Sequence, residues 1–241
     1  MKIEHAVIRM DALGRRAWLK VYAEGNRGWT LAVLDLLTRF FDTPSLRPPA
    51  HWGGERACAI EKRRIEALVA CGALVPEILG QGANALLLGD IGHTLKSVLH
   101  EVGPERQVQL IAQAARAMVE VHAHDGYIGQ PYARNLTVAE DGRIGFLDLE
   151  EDPLESMTLA QAQVRDWLIF AAGVSRYFAD PSRQFADAIR PVLRDETQAT
   201  RLELLRQVRR LRLVERISGR LGARAQRIAG ALAGLRNALE S

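Results

Sequence analysis

The sequence predicts an α+β fold on three observations: an early run of short β segments broken by one amphipathic helix, a second β-hairpin around Asp141–Gly142, and helical periodicity beyond Leu159. The chain has 241 residues, 48% of them hydrophobic and 25% charged, which is ordinary globular composition with enough length to bury a real core. That length predicts one domain or two small lobes.

Lys2–Met10 alternates Ile3, His5, Val7 and Ile8 against polar residues, Asp11–Gly14 reads as a turn, and Arg16–Tyr22 is a second β run that puts Lys20 on a strand. Thr30–Phe41 carries Leu31, Leu34, Leu37 and Phe41 at helical spacing, and the DTPSLRPPAHWGG that follows is too rich in Pro and Gly to continue a helix. Arg56–Cys71 predicts an amphipathic helix, with Ile60, Ile65, Leu68 and Val69 on one face, Glu61, Lys62, Arg63 and Arg64 around the other, and Gly72 as its cap. Val75–Leu79 and Ala83–Leu88 follow as short strands separated by Gly80 and Gly82, and Asp90–Gly92 breaks the pattern.

A helix begins within Thr94–His100, and Glu105–His124 repeats Val108, Ile111, Ala115, Met118, Val119 and His122 at the three- and four-residue period of a buried helix face. After the loop GYIGQPYARN, Leu136–Val138 and Ile144–Leu147 flank an Asp-Gly turn, with Asp148 where the second strand ends. Val164–Tyr177, Phe185–Leu193, Ala199–Ile217 and Ala223–Leu239 read as helices, with a break at Ser218–Gly219.

Cys58 and Cys71 have no companion pair at zinc-ligand spacing, which argues against a structural metal site and a secreted disulfide framework, and for a reducing compartment. MKIEHAVIRMD lacks the apolar middle of a signal peptide, and no window is apolar enough to span a bilayer, so a cytoplasmic location is expected. The net charge of +3 conceals an asymmetry: residues 201–241 hold ten Arg against three Glu, leaving −4 for the first 200 residues. In Arg201–Ile217, Leu205, Val208, Leu211, Leu213, Val214 and Ile217 alternate with Arg206, Arg209, Arg210, Arg212 and Arg216. Such a helix can lie on its own domain, on an anionic membrane surface peripheral to the inner face, or on a nucleic-acid backbone; few aromatics argue against nucleic-acid stacking.

Lys20 on a strand, Glu61 on the next helix, Asn135 beside a hairpin and Asp148 after it stand in an order that phosphoryl transfer from a nucleotide would explain. A lysine neutralises phosphate oxygens, a helix carboxylate holds the lysine, and an amide oxygen with a carboxylate ligates the magnesium that bridges the phosphates.

From Met1 to Phe178 the chain resembles the protein-kinase-like superfamily, in particular the bacterial branch of lipopolysaccharide-core (Kdo/heptose) sugar kinases and Rio/Bud32-type kinases. AWLKVY is similar to the strand bearing the family's lysine, and IEKRRIEALVACGALVPEIL to the helix bearing its partner, Glu61. LLLGDIGHTL resembles the interlobe segment, VHAHDGYIGQPYARNLTV the catalytic loop and GRIGFLDLEED the metal-binding segment. Asp166 of VRDW matches an aspartate that braces the loop. The resemblance implies a two-lobed fold, with a reduced β lobe at 1–89 and a helical lobe at 90–241 that carries a catalytic-loop-like segment at 122–150 and an Arg-rich tail at 199–241. It implies ATP and Mg2+ as cofactors, with Lys20 and Glu61 at the phosphates and backbone at Leu87–Gly89 meeting adenine. Asn135 and Asp148 become metal ligands, and Gln130 or Glu150 positions a hydroxyl acceptor such as a lipopolysaccharide-core sugar.

Two departures qualify the match. The family's loop aspartate falls on Gln130, whose amide cannot take a proton at neutral pH, so a pseudokinase serving as a binding or scaffold module is the alternative. No G-x-G-x-x-G precedes Lys20, which leaves only the turn at Leu13–Gly14 as a phosphate lid. Glu150 reads either as an additional metal ligand or substitute base, or, with Glu151 and Asp152, as a solvated acidic turn. His122 reads as a hydrogen-bonded core histidine, His124 has no metal-ligand companion, and Arg134 can pair with a phosphate or with the acidic segment.

Overall fold

The structure, a computed structural model, describes residues 6–12, 14–23, 44–46, 52–212 and 222–240. The predicted helix Thr30–Phe41, the break at Ser218–Gly219, and Leu213, Val214, Arg216 and Ile217 lie outside the described residues. The described elements form a mixed α+β fold: two small antiparallel sheets and a helical C-terminal region.

The first sheet runs β1 (Ala6–Ala12), β2 (Arg15–Val21), β4 (Ala85–Gly89), β3 (Ile78–Gln81) from edge to edge. Asp11 and Ala12 stay in the ladder opposite Arg16 and Arg15, so the hairpin turn is tighter than predicted and uses Gly14 at φ 71°. β3 starts three residues later than expected because Pro76 has no N–H for a ladder. Gly80 lies inside that strand, where the register shifts at a bulge.

Between the strands of this sheet runs α1 (Gly54–Ala70), closed by Gly72 at φ 75°, with Ala73 N–H donating to Leu68 O at 3.0 Å and Gly72 N–H to Val69 O at 2.9 Å, a Schellman cap. Two predictions for this helix are corrected. Val69, one residue and about 100° of helix turn round from Leu68, is exposed, whereas Glu61 and Arg64 on the supposed solvated face are 2% and 3% exposed. Buried charges require partners, and both have them.

The second sheet, in the order β5 (His93–Thr94), β6 (Leu136–Val138), β7 (Ile144–Phe146), follows the predicted hairpin, with Gly142 at φ 83° in the turn. Between its strands come α2 (Leu95–Glu101), capped by the Thr94 hydroxyl, and α3 (Pro104–Ala123). Phe146 N–H donates to Leu74 O at 2.9 Å, joining this sheet to the chain just after α1.

α4 (Leu159–Val174) begins five residues before its predicted start because Thr158 and Gln161 form a reciprocal capping box. It is buried on nearly every side, against α6 (Gln198–Arg210) and α7 (Ala223–Glu240), with α5 (Ala186–Arg194) packed on α3 and α7. Phe170 and Phe185 are fully buried here, each contributing about 2–3 kcal/mol relative to exposure. The Arg-rich helix α6 turns Leu204 and Val208 into this core. Its rim is partly paired within the chain, Arg206 with Glu203 and Arg209 and Arg212 with Glu240 of α7. Among the described residues no helix is long and apolar enough to cross a membrane.

Candidate functional site

β2 and α1 bring Lys20 and Glu61 together, and the chain leaving β7 adds Asp148 and Glu150. Lys20 Nζ lies 2.7 Å from Glu61 Oε2, 2.8 Å from Asp148 Oδ1 and 3.1 Å from Glu150 Oε2. Asp148 holds φ 62°, a left-handed conformation that aspartate tolerates better than most residues. Glu61 is fixed by two further donors, the Tyr22 hydroxyl at 2.6 Å and Leu149 N–H at 3.3 Å. The cluster is sealed except at Asp148, whose side chain is 35% exposed against 9% for Lys20.

Burial works against charge on Lys20, but Glu61, Asp148 and Glu150 outweigh it and hold the ammonium charged far above its ordinary range. Burial and Glu61 push the Tyr22 hydroxyl up as well, so it stays a neutral donor. One carboxylate oxygen from each of Glu61, Asp148 and Glu150 falls within 4.8 Å of the others. Three carboxylates against one ammonium leave a formal charge of −2.

The loop between α3 and β6 is held by Asp166 of α4, which accepts Ile128 N–H at 2.5 Å and Gly129 N–H at 2.7 Å. Behind it His122, wholly buried, bridges Asp166 at 3.2 Å and Glu196 at 2.7 Å, and Trp167 Nε1 donates to Glu196 at 2.7 Å. Burial opposes charge on this imidazole, yet the two carboxylates prevail and push it up to about 9. His124 is exposed, and its imidazole Nδ1 lies 2.9 Å from the Glu120 carbonyl.

Asn135 is buried at the end of this loop; its Nδ2 donates to the Gln130 carbonyl at 3.1 Å, and its own carbonyl accepts Leu147 N–H at 2.8 Å, one residue before Asp148. Gln130 is half-buried, and its side chain lies near enough to Glu151 to lower that carboxyl slightly. A carboxylate therefore does sit beside Gln130, supplied by another segment. Burial raises Glu151, Arg165 at 3.4 Å lowers it, and Glu150 and Asp148 add to the rise, leaving it above the ordinary range.

Sequence reasoning missed Glu151, Glu196, Tyr22 and Arg64; only the acid run after Asp148 gave a signal for the first. Arg64 stacks 3.5 Å from the Tyr127 ring centroid and donates to the Tyr127 carbonyl, while the Tyr127 hydroxyl donates to Asp152. Arg63 meets Asp152 at 2.6 Å, and Trp52 Nε1 donates to Glu155 at 2.9 Å. These contacts tie α1, and with it Glu61, to the loop and to the acid run.

Leu87 and Gly89 lie on β4 opposite Leu19 and Ala17, and Gly89 N–H is engaged by the Glu77 carbonyl at 2.8 Å. A cavity of about 740 Å3 opens beyond them, lined among others by Trp18, Asp90, Ile91, Gly92, Thr94 and Val138. None of Lys20, Glu61, Asn135 and Asp148 lines it. Trp18 of its lining shares a face of β2 with Lys20, two residues and roughly 7 Å along the strand. Trp18 Nε1 donates to Asp90 at 3.0 Å across its mouth. No protein-family model matches this chain, and no curated protein matches it.

Proposed function

We propose that this protein is an ATP- and Mg2+-dependent phosphotransferase of the protein-kinase-like type, acting on a hydroxyl acceptor such as a lipopolysaccharide-core sugar. The observation that carries the proposal is the convergence of Lys20, Glu61, Asp148 and Glu150, from sequence positions up to 130 residues apart, on one buried cluster open to solvent at Asp148. On this reading residues 1–89 form a small lobe, residues 90–241 a helical one, and the cavity beside Trp18 and Asp90 takes the base.

Lys20 neutralises phosphate oxygens, and Glu61, fixed by Tyr22, orients it. The donor set suits a hard divalent cation: Asp148, Glu150 and the Asn135 amide offer oxygens, and the formal −2 of the cluster matches the ion's charge. Mg2+ held there supplies charge neutralisation for the transferred phosphoryl group. Gln130 orients the acceptor hydroxyl, and Glu151 beside it, with raised proton affinity, takes the proton. A second reading, a binding or scaffold module, is favoured by the amide at Gln130 and by a single hairpin in place of a glycine-rich lid. Leu204 and Val208 of α6 face the core, so any peripheral contact with an anionic membrane falls to its arginines and the exposed Leu202.

A thermal-shift titration with ATP, with and without magnesium, on wild type and Asp148→Asn tests the proposal, because a ligand that binds only the folded state stabilises it. Magnesium-dependent stabilisation lost in Asp148→Asn supports phosphotransfer. No shift at millimolar ATP overturns it.

A further inference from the structure

Away from the acidic cluster, three cations share one small cavity. Lys96 at the start of α2, Arg134 one residue before Asn135, and Arg176 just past α4 line a space of about 110 Å3 together with Tyr132 and Tyr177. No carboxylate lines it, and among the described residues none of the three makes an ion pair. Like charges around one rim repel, by about 1 kcal/mol for a pair ~4 Å apart even in water, and a bound anion reverses that cost.

Part of the wall is held by contacts within the chain. Arg134 lies over the Tyr132 ring, 4.3 Å from its centroid, and Lys96 N–H donates to the Ala133 carbonyl at 2.8 Å. His100, one turn along α2 from Lys96, packs edge-on against Tyr177 with centroids 5.9 Å apart. The volume is below the roughly 300 Å3 that a whole small-molecule ligand takes, and suits a single charged group.

We propose that Lys96, Arg134 and Arg176 form a binding site for the phosphate or carboxylate group of an anionic acceptor, a sugar phosphate or sugar acid. Arg134 directly precedes Asn135 in the loop bearing Gln130, which ties the cavity wall to that loop along the chain. The anion's identity as part of the acceptor rests on the phosphotransferase reading, whereas the anion binding does not.

The test titrates inorganic phosphate, and malonate in parallel, into the full chain at constant ionic strength, following melting temperature and binding heat. Wild type and the exposed-surface variant Lys96→Gln/Arg134→Gln/Arg176→Gln are compared, with Arg134→Glu as a single change should the triple variant fold poorly. Saturable binding by wild type, weakened roughly tenfold or more in either variant, is expected for loss of charge-assisted hydrogen bonds. Preference for phosphate or for malonate assigns the group. No saturation at tens of millimolar, or equal affinity in the variants, overturns the site. Loss of the Mg–ATP response with phosphate binding intact overturns the phosphotransferase reading alone.

Discussion

Two buried cations of this protein, Lys20 and His122, are each clasped by carboxylates from distant segments, but the two clusters are built to opposite ends. His122 sits between Asp166 and Glu196 with no exposed surface; Asp166 also accepts the Ile128 and Gly129 N–H groups, Glu196 accepts from Trp167 and the Thr197 N–H, and Gln163 donates to the His122 carbonyl. Lys20 faces three carboxylates, one of them open to water. The first cluster is closed and satisfied, which is how a fold holds a loop in place. The second carries surplus negative charge at an opening, which is the feature the proposed phosphotransfer draws on.

The largest expected effect falls on the closed cluster. His122→Ala leaves Asp166 and Glu196 buried with a lost partner, and urea denaturation should show a loss of about 3–5 kcal/mol. Asp148→Asn should do the reverse, lowering acceptor phosphorylation by roughly 10²–10³-fold, or about 3–4 kcal/mol of barrier, with the urea midpoint nearly unmoved because it relieves crowding of like charge. A midpoint that collapses in Asp148→Asn would erase the distinction between the clusters.

The closed cluster also sets a pH dependence. His122 is pushed from an ordinary 6.5 to about 9 in the folded protein, so its contribution is fully present below 6.5 and is lost as pH rises through 9. The difference is roughly 3 kcal/mol, read as a falling urea midpoint between those limits that His122→Gln should flatten. Glu151→Gln should cost about tenfold to a hundredfold in kcat, on the low side of general-base contributions, and flatten the pH–rate profile. Arg209→Ala, which removes a surface pair with Glu240, should cost less than about 1 kcal/mol by urea midpoint.

The parts of this architecture legible in the sequence are those with a local signature. The three- and four-residue spacing of Val108 to His122 gave α3 within a residue at each end, and Asp141–Gly142 between apolar runs gave the second hairpin. Lys20, Glu61 and Asp148 were singled out by order along the chain, an order whose contacts are now geometric. Glu196 and Arg64 left no trace, because a glutamate in a polar turn and an arginine on a charged helix face look the same whether their partners are water or a carboxylate many residues away. β3 was displaced because Val75 and Leu79 have strand-like side chains while Pro76 has no proton to give, a backbone fact that outweighs side-chain propensity.

The hydrogen bond from Phe146 N–H to Leu74 O has a dynamic consequence. It is a main-chain link from the second sheet to the segment that also leads into the first, and its donor lies two residues before Asp148. Fluctuations that part the sheets must break it and tug on Asp148 at the same time. Deuterium uptake at this amide therefore reports the parting of the sheets: because Phe146 is itself buried in the core, uptake at the pace of global unfolding would mean that the acidic cluster opens only with the whole fold, and faster uptake that it breathes on its own.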